Sequence, residues 1–430
     1  MRRTILEPLR WVEDPARVMV IENGGPPKAY FQVVTNLRLR RMCVGRPVEE
    51  LPRILTILSP THHLVSALAL DALFKVEPPP LAVNMRQALL ETLFLGRHLR
   101  KLYFFLSSHS DPFEDFTLSH RNTGKSSASR DLIDHIMRHV ALTQEASRIL
   151  GGRADHPISV VPGGVSRFLK QQYYDRLSEI GQSCSTFTIA LACLLAKERI
   201  EDHPWDVELE SVLAMSMSED HSEIEIRDSS GQTVDKFPVE QIFDKIGFHE
   251  EPWTYKPFAF LKEKGWVPLD SDNVSGVYFV GPLARLISKT ELELPFAKED
   301  AKVLLDEFAR SPRFTVANAY RSLILEVCQS AERISDLYRQ ENLTGPIIRN
   351  IPTEIGGEGF AAIESPEGLI AHRYRIDKRG VVREIEIIDS ATQNNALKCL
   401  IVKNIVDRSA DWNKNTNLTK ATIEKALLPF

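Results

Sequence analysis

The chain has 430 residues and a formal net charge of -5, with 53 lysine and arginine residues interleaved among 58 aspartate and glutamate residues. Because no basic field exists to hold a phosphate backbone, the charge pattern excludes nucleic acid as a partner. With 43% hydrophobic and 26% charged residues, the composition excludes wholesale disorder and fibrous repeats, and the length allows about two or three domains of roughly 150 residues each.

The composition also limits where the protein works. The longest apolar run, Phe187 to Ala196, is far shorter than the roughly 20 residues that a membrane-spanning helix needs. No apolar signal core follows Met1, so we expect no membrane span and a cytoplasmic location. The five cysteines form no CxxC pair and are expected to be reduced thiols, mostly in the core: Cys43, Cys184, Cys193, Cys328 and Cys399.

The chain is expected to open with strands, because apolar residues from Val18 to Val34 flank the turn signal Asn23-Gly24-Gly25-Pro26-Pro27. A helical period follows from Val48 to Asp155, and it is clearest over Leu81 to Leu106 and Asp131 to Leu150. A further helix is predicted from Ser166 to Ala196 and helical structure again from Lys298 to Glu341. These segments predict a central helical bundle.

Two later stretches alternate apolar and polar residues around a glycine turn, which is typical of antiparallel hairpins. They are residues 207–236 around Asp228-Ser229-Ser230-Gly231 and residues 359–389 around Asp377-Lys378-Arg379-Gly380. The fold class is therefore predicted to be α+β, predominantly helical, with peripheral antiparallel hairpins. The expected regions are 1–47 (β), 48–200 (helical bundle), 201–290 (β and loop), 291–350 (helical) and 351–430 (C-terminal hairpin and helix).

Short motifs give weak indications of chemistry. Gly124-Lys125-Ser126 resembles the end of a phosphate-binding loop, but Ser119 occupies the position of the required first glycine. Asp131, His135 and His139 have metal-ligand spacing on a predicted helix, although a polar helix face is the favoured interpretation. For His62 and His63 we expect packed or hydrogen-bonded roles, and for Cys184 and Cys193 buried inert thiols.

Several longer segments, in order along the chain, resemble the large subunit of nickel-iron hydrogenases, closest to the cytoplasmic class linked to heterodisulfide-reductase-type or nicotinamide-type partners. The matching segments are Val12 to Val18 (family RIEGHA), Gly151-Gly152-Arg153 with His156-Pro157, Pro162 to Val165 (PGGV), Trp253-Thr254-Tyr255, Tyr278 to Leu286 (YRVGPLARL), Gly357-Glu358-Gly359, Glu364 to Gly368 (EAPRG) and Ala391 to Asn395 (ATxxNN). The resemblance covers the whole chain and implies one hydrogenase large-subunit-like domain over 1–430.

The departures from the family pattern concern its metal ligands. The family's first cysteine pair lies in RICGICPVSHH, and the aligned run Arg53 to His63 has Leu55 and Leu58 at those two positions. The second pair lies in DPCxxC, and the present sequence matches the family only up to Phe430, just before that motif. Leucine offers no lone pair to nickel or iron, so all four ligand cysteines are expected to be lost. Glu367 also stands in place of the arginine of EAPRG, reversing its charge.

The resemblance and its departures together lead to three functional hypotheses. The first is a non-catalytic homologue that binds an iron-sulfur small-subunit homologue, with further redox subunits, in a cytoplasmic electron-transfer complex; the chain itself would hold no cofactor and the clusters would lie in its partners. The second is a substrate- or ligand-binding redox subunit that reuses the vacated pocket. The third is a hydrogenase maturation scaffold. Vestigial pocket residues implied by the resemblance are Glu13, His62, His63, Glu364, Glu367, Thr392 and Asn394, and Leu55 and Leu58 are expected to fill the emptied space with apolar volume.

Overall fold

The structure is a computed structural model that describes residues 2–7, 9, 14–35, 37–107, 126–195, 203–209, 212–271, 274–288, 314–409 and 412–430, with side chains of the 126–195 segment described from 131 onwards. Glu13, Gly124 and Lys125 lie outside these residues, as does the 298–313 part of the segment predicted to be helical.

The N-terminal region is a three-stranded antiparallel sheet, which confirms that the chain opens with strands. Its strands, in spatial order β1-β2-β3, are β1 (Arg2–Leu6), β2 (Ala16–Glu22) and β3 (Lys28–Val33). Gly24 adopts φ +80° in the turn between β2 and β3, a conformation that glycine enters without steric cost. Asp14, just before β2, is one of the residues that line the candidate site described below.

The helices that follow form the bundle. They are α1 (Leu39–Cys43), α2 (Leu51–Ile54), α3 (Pro60–Leu73), α4 (Pro80–Ser107), α5 (Ser126–Gly151) and α6 (Gln172–Leu195), with single 3₁₀ turns at Val48–Glu50 and Leu55–Ile57. Their apolar faces meet in one core that includes Leu89, Leu95, Leu99, Leu177 and Leu323. Burial of this apolar surface is the main force that holds such a bundle together.

The start predicted at Ser166 for the Ser166–Ala196 helix is wrong. The backbone N–H of Ser166 donates to the carbonyl of Ser159 at 2.8 Å, which ties the chain back to the preceding loop, and α6 begins only at Gln172. Two short strands, β4 (Val160–Val161) and β5 (Gly164–Val165), form an antiparallel pair within that loop. Gly163 and Gly164 permit the close approach of this loop to the 344–350 segment, because a Cβ on Gly163 would lie 1.9 Å from the Asn350 carbonyl oxygen.

The second half of the chain adds strands and further helices. Its strands are β6 (Leu213–Met217), β7 (Glu223–Arg227), β8 (Thr233–Pro238), β9 (Ile246–His249), β10 (Phe258–Leu261), β11 (Tyr278–Phe279), β12 (Glu358–Ser365), β13 (Gly368–Ile376) and β14 (Val382–Ile388). Its helices are α7 (Ile242–Lys245), α8 (Pro282–Ser288), α9 (Val316–Leu337), α10 (Gln340–Leu343), α11 (Ser390–Gln393), α12 (Asn395–Arg408) and α13 (Thr416–Leu427), with a 3₁₀ turn at Val239–Gln241.

These elements confirm the predicted α+β class with small antiparallel sheets. Strands β6, β7 and β8 pair antiparallel with a turn at Gly231, and strands β12, β13 and β14 pair antiparallel with a turn at Gly380. Strand β11 joins the first of these sheets by parallel pairing with β6. Across the described part of the chain, no helix has both the length and the apolarity that crossing a bilayer requires.

Candidate functional site: a polar cavity beside His62

A cavity of about 630 Å³ lies between the bundle and the C-terminal sheet. Its wall is formed by the first turn of α3, the middle of α4, the C-terminal part of α5, the turn between β12 and β13, and the start of α11. Residues that line it include Leu58, His62, Arg97, Lys256, Glu367 and Asp389. We call it the His62 cavity. Its size is within the range of small-molecule pockets, roughly 300–1,000 Å³.

His62 is placed on the cavity wall by the start of α3. Ser59 is extended and Pro60 occupies the first turn, where its missing N–H costs no helical hydrogen bond. The side chain of His62 is only 3% exposed. Its Nδ1 lies 2.8 Å from Nε2 of His372 on β13, so the helix and the sheet are joined at this point.

A chain of hydrogen bonds behind His62 fixes the tautomers of both imidazoles. Tyr374 donates its hydroxyl proton to Ser66 Oγ at 2.8 Å, so the Tyr374 oxygen, 2.6 Å from His372 Nδ1, accepts from that nitrogen. A neutral His372 therefore has a lone pair on Nε2 and accepts from Nδ1–H of His62. The remaining nitrogen of His62, Nε2, then carries a lone pair and is available to the cavity.

Burial keeps these two imidazoles neutral. It lowers the pKa of His62 to about 4, in spite of the nearby carboxylates of Asp389 and Glu367, which favour the charged form. Burial and the neighbouring His62 lower the pKa of His372 well below its ordinary value. Both rings are thus uncharged at neutral pH, as the tautomer assignment requires.

Glu367 lies in the turn between β12 and β13. Gly368 adopts φ +135°, and a Cβ there would lie 2.4 Å from a Val280 methyl carbon, so only glycine lets the turn pack this closely. Glu367 accepts a hydrogen bond from Arg97 Nε on α4. Burial alone would raise the pKa of Glu367, but the positive charges of Arg97 and Lys101 outweigh it and hold the pKa at about 2.

Asp389 and Lys256 form a second buried charge cluster. Asp389 caps α11 by accepting from the Thr392 N–H at 2.8 Å and from its hydroxyl at 2.7 Å. Lys256 Nζ lies 3.1 Å from Asp389 and 2.5 Å from Asp14. Burial raises the pKa of Asp389, but Lys256 and the two Thr392 donors reverse that effect and lower it to about 2.

The structure brings together only some of the residues that the sequence singles out. His62, Glu367 and Leu58 line the cavity, whereas Leu55 lies fully buried in a separate apolar cluster with Cys43, Leu51 and Tyr374. Leu55 therefore does not fill the cavity, and Leu58 fills it only in part.

The other predicted pocket residues have different surroundings. His63 turns away and its Nδ1 contacts the Pro52 carbonyl at 2.9 Å. Thr392 supports Asp389, as described, and Asn394 bridges the Val280 backbone through bonds of 2.9 and 3.2 Å. Glu13 lies outside the described residues.

Glu364 belongs to a buried ion cluster beside a different cavity of about 1230 Å³. Arg285 donates to Glu364 at 2.7 Å and to both oxygens of Glu326 at 2.6 and 2.7 Å. Glu326 in turn lies 2.8 Å from Nε2 of His98. This cluster connects α4, α8, α9 and β12, so its immediate effect is to join four elements of the fold.

The histidine stripe on α5 is used for packing. The ring of His139 stacks on Phe187 at 3.9 Å, and its Nδ1 contacts the carbonyl of His135 at 2.8 Å. Its Nε2 lies 3.3 Å from Ser183 on α6. Asp131 and His135 are exposed, as a polar helix face requires, but His139 is buried between α5 and α6, so the predicted polar face does not include it.

Sequence reasoning missed five residues that shape the site: Arg97, Lys256, His372, Tyr374 and Asp389. His372 and Tyr374 are two apart on β13, so strand alternation could have placed them on one face. Arg97 and Lys256 carry no comparable local signal.

No family model matches this chain. Among curated proteins, it is 23% identical to an iron-sulfur subunit of the F420-non-reducing hydrogenase of Archaeoglobus profundus, over 97% of this chain and 90% of that protein. It is 25% identical to the NAD-reducing hydrogenase HoxS subunit beta of Cupriavidus necator, over 94% of this chain and 88% of that protein. A solved NAD+-reducing [NiFe]-hydrogenase in the H2-reduced state superposes with a TM-score of 0.80 at 24% identity, covering 99% of this chain and 98% of that one.

The chain is a homologue of nickel-iron hydrogenase large subunits. This confirms the resemblance that the ordered segments carry, and the hydrogenase large-subunit fold with it.

The described residues of this homologue do not fit a nickel-iron centre. Such a centre needs soft thiolate ligands, and none of the five cysteines is among the residues that line the His62 cavity. Burial raises the pKa of Cys43 to about 11 and of Cys184 and Cys399 to about 12, so these thiols stay protonated at neutral pH. Within the described ranges, no three His, Cys, Asp or Glu side chains are grouped so that they could hold a metal ion.

Proposed function

We propose that this homologue is a structural subunit of a redox assembly, in which it binds an iron-sulfur small-subunit homologue and does not itself activate hydrogen. The observation that carries the proposal is the pair Leu55 and Leu58 at the aligned positions of the first two family cysteines. Two hydrocarbon side chains supply no ligand to nickel or iron. The chemistry is therefore lost at these positions while the scaffold remains.

Retention of that scaffold supports a binding role. The fold of the hydrogenase neighbour is kept over 99% of this chain, although two positions needed for the metal have changed. In the resembled family, the large subunit forms a wide obligate interface with its small subunit, and such interfaces commonly bury about 2,000–5,000 Å². Selection for an interface of this kind would preserve the scaffold without the metal.

The names of the relatives agree with an oxidoreductase assembly. One relative belongs to a NAD-reducing hydrogenase, and another is named as an iron-sulfur component of an F420-non-reducing hydrogenase. For the present chain, we propose a cytoplasmic complex in which iron-sulfur clusters are bound by partner subunits and no cofactor is bound by this chain.

The test is native purification of the tagged full chain, followed by identification of the accompanying chains and by metal analysis. We expect an iron-sulfur protein in stoichiometric amount, and nickel below a tenth of an equivalent per chain. Stoichiometric nickel, or infrared bands of cyanide and carbon monoxide bound to this chain, would overturn the non-catalytic part of the proposal. Purification as a lone, monodisperse chain would overturn the assembly part.

A further inference from the structure

The cations that line the His62 cavity are already matched by carboxylates. Arg97 is bonded to Glu367, and Arg100 lies 3.5 Å from Asp155. Lys256 lies between Asp14 and Asp389, as described above. An anionic ligand would have to compete with a carboxylate for each of these cations, so the wall is poorly suited to a carboxylate or phosphate head.

The deep wall instead offers hydrogen-bond acceptors. Among the described residues, Nδ1 of His62 is occupied by its hydrogen bond to His372. The hydrogen bonds through His372 and Tyr374 fix the tautomer, so that Nε2 of His62 carries a lone pair. Glu367 is 6% exposed, and a carboxylate has several acceptor sites, of which Arg97 Nε occupies one. Buried acceptors that lack donors are unfavourable, so a donor placed here is stabilised.

The remaining wall of the cavity is partly apolar. Its apolar lining residues include Ile57, Leu58, Pro60, Leu93, Pro366 and Ala391. Apolar walls with a few fixed polar groups are typical of small-molecule sites. The volume of about 630 Å³ leaves room for a ring-sized body next to His62.

We propose that the His62 cavity binds a small molecule whose head donates hydrogen bonds, through a hydroxyl or an amino group, and whose body is apolar. His62 Nε2 and the Glu367 carboxylate accept these hydrogen bonds, and His372 and Tyr374 act as positioning residues that keep the His62 lone pair directed to the cavity. This inference does not depend on the assembly proposed above, because a chain that fails to bind an iron-sulfur partner still contains the cavity.

Three probes with the same ring and different heads test the ligand class: benzyl alcohol, benzylamine and benzoate. Each is titrated at pH 7 into the purified full chain, together with any chains that accompany it, and binding is followed by ligand-observed NMR. We expect the alcohol, the amine or both to bind at least tenfold more tightly than benzoate. Binding of both indicates that a donor is sufficient, and binding of the amine alone indicates that the carboxylates also select a cationic head.

The variant His62→Phe keeps an aromatic ring and removes the acceptor. We expect it to weaken the preferred probe about three- to tenfold, while His135→Phe, at an exposed histidine that does not line the cavity, leaves binding unchanged. If His62→Phe does not fold, Tyr374→Phe serves instead, because it removes the acceptor of His372 Nδ1–H and releases the tautomer; a two- to threefold loss is expected. Benzoate binding as tightly as the other probes, no saturable binding of any probe, or unchanged binding in the folded His62 variant would overturn the inference.

Discussion

The imidazole rings of His62 and His372, 310 positions apart in the sequence, lie stacked with 5.0 Å between their centroids, 28° between their planes and 2.8 Å between Nδ1 and Nε2. One ring belongs to helix α3 and the other to strand β13. Because both rings are buried, the pair can exist in this geometry only while at least one of the facing nitrogens is unprotonated. The contact between bundle and sheet is thereby linked to proton concentration.

Acidification should destabilise the protein before its carboxylates titrate. His62 has a pKa of about 4 when folded and an ordinary value of 6.5, so between these values the unfolded chain binds more protons and stability falls as pH falls. The full effect for one such group is about 3 kcal/mol. Urea unfolding from pH 7 to pH 4.5 should show this loss, and it should be smaller in His62→Gln.

The buried carboxylates affect the stability of the protein at lower pH than His62 does. Because the pKa values of Glu367 and Asp389 are near 2 in the folded state, the stability that they contribute is lost mainly below pH 4.5. The matched control is His156→Gln, which replaces an exposed histidine. The free energy of unfolding of this variant should depend on pH as it does in the wild type. An identical pH profile for His62→Gln and wild type would contradict the prediction.

Removing the hydroxyl group of Tyr374, which accepts from His372, should lower the free energy of unfolding. Tyr374→Phe leaves the His372 N–H without its acceptor, and all of these atoms are buried. We expect a decrease of about 1–3 kcal/mol in the free energy of unfolding. A double-mutant cycle with Ser66→Ala should give a coupling energy of at least about 0.5 kcal/mol, and additivity within error would show that the chain does not act as a unit.

The two leucines at the lost ligand positions should respond differently to restoration of cysteine. Leu55 is fully buried, so Leu55→Cys should lower the free energy of unfolding by about 1–3 kcal/mol. Leu58 is half-buried at the cavity wall, and Leu58→Cys should cost less than about 1 kcal/mol. Chemical denaturation of each variant measures the difference, and equal costs would contradict it.

The double variant Leu55→Cys, Leu58→Cys should bind no stoichiometric nickel and take up no hydrogen. Hydrogen uptake above the level of the wild-type chain would show that other residues of the chain can complete a set of metal ligands.

An exposed isoleucine near the lost ligand positions should matter for partner binding. Ile57 is 50% exposed next to Leu58 at the His62 cavity, and we propose that it belongs to the surface that contacts the partner. Ile57→Glu should reduce the recovery of an iron-sulfur partner at least tenfold, because it puts a charge into an apolar contact. Leu418→Glu on α13 changes a side chain of similar exposure, 53%, and should leave recovery unchanged. Equal recovery with both variants would place the partner elsewhere.

Local signals account for what the sequence predicted well. The three glycine turns were placed correctly because Gly24, Gly231 and Gly380 all adopt positive φ, a requirement visible in the residue type alone. The pairing of Lys256 with Asp389 joins residues 133 positions apart, and no pattern within either segment indicates it. For the same reason the resemblance grouped Glu364, which belongs to its own ion cluster, with Glu367, which lines the His62 cavity.

The burial of Leu55 bears on whether a cysteine at this position could act as a metal ligand. A cysteine sulfur at this position would share the apolar cluster of Cys43, whose thiol pKa burial raises to about 11. Only the thiolate is a strong metal ligand, and forming it there at neutral pH would cost several kcal/mol. A metal ligand at position 55 would require the cluster around Leu51 and Tyr374 to open, so the substitution Leu55→Cys alone does not supply a competent thiolate.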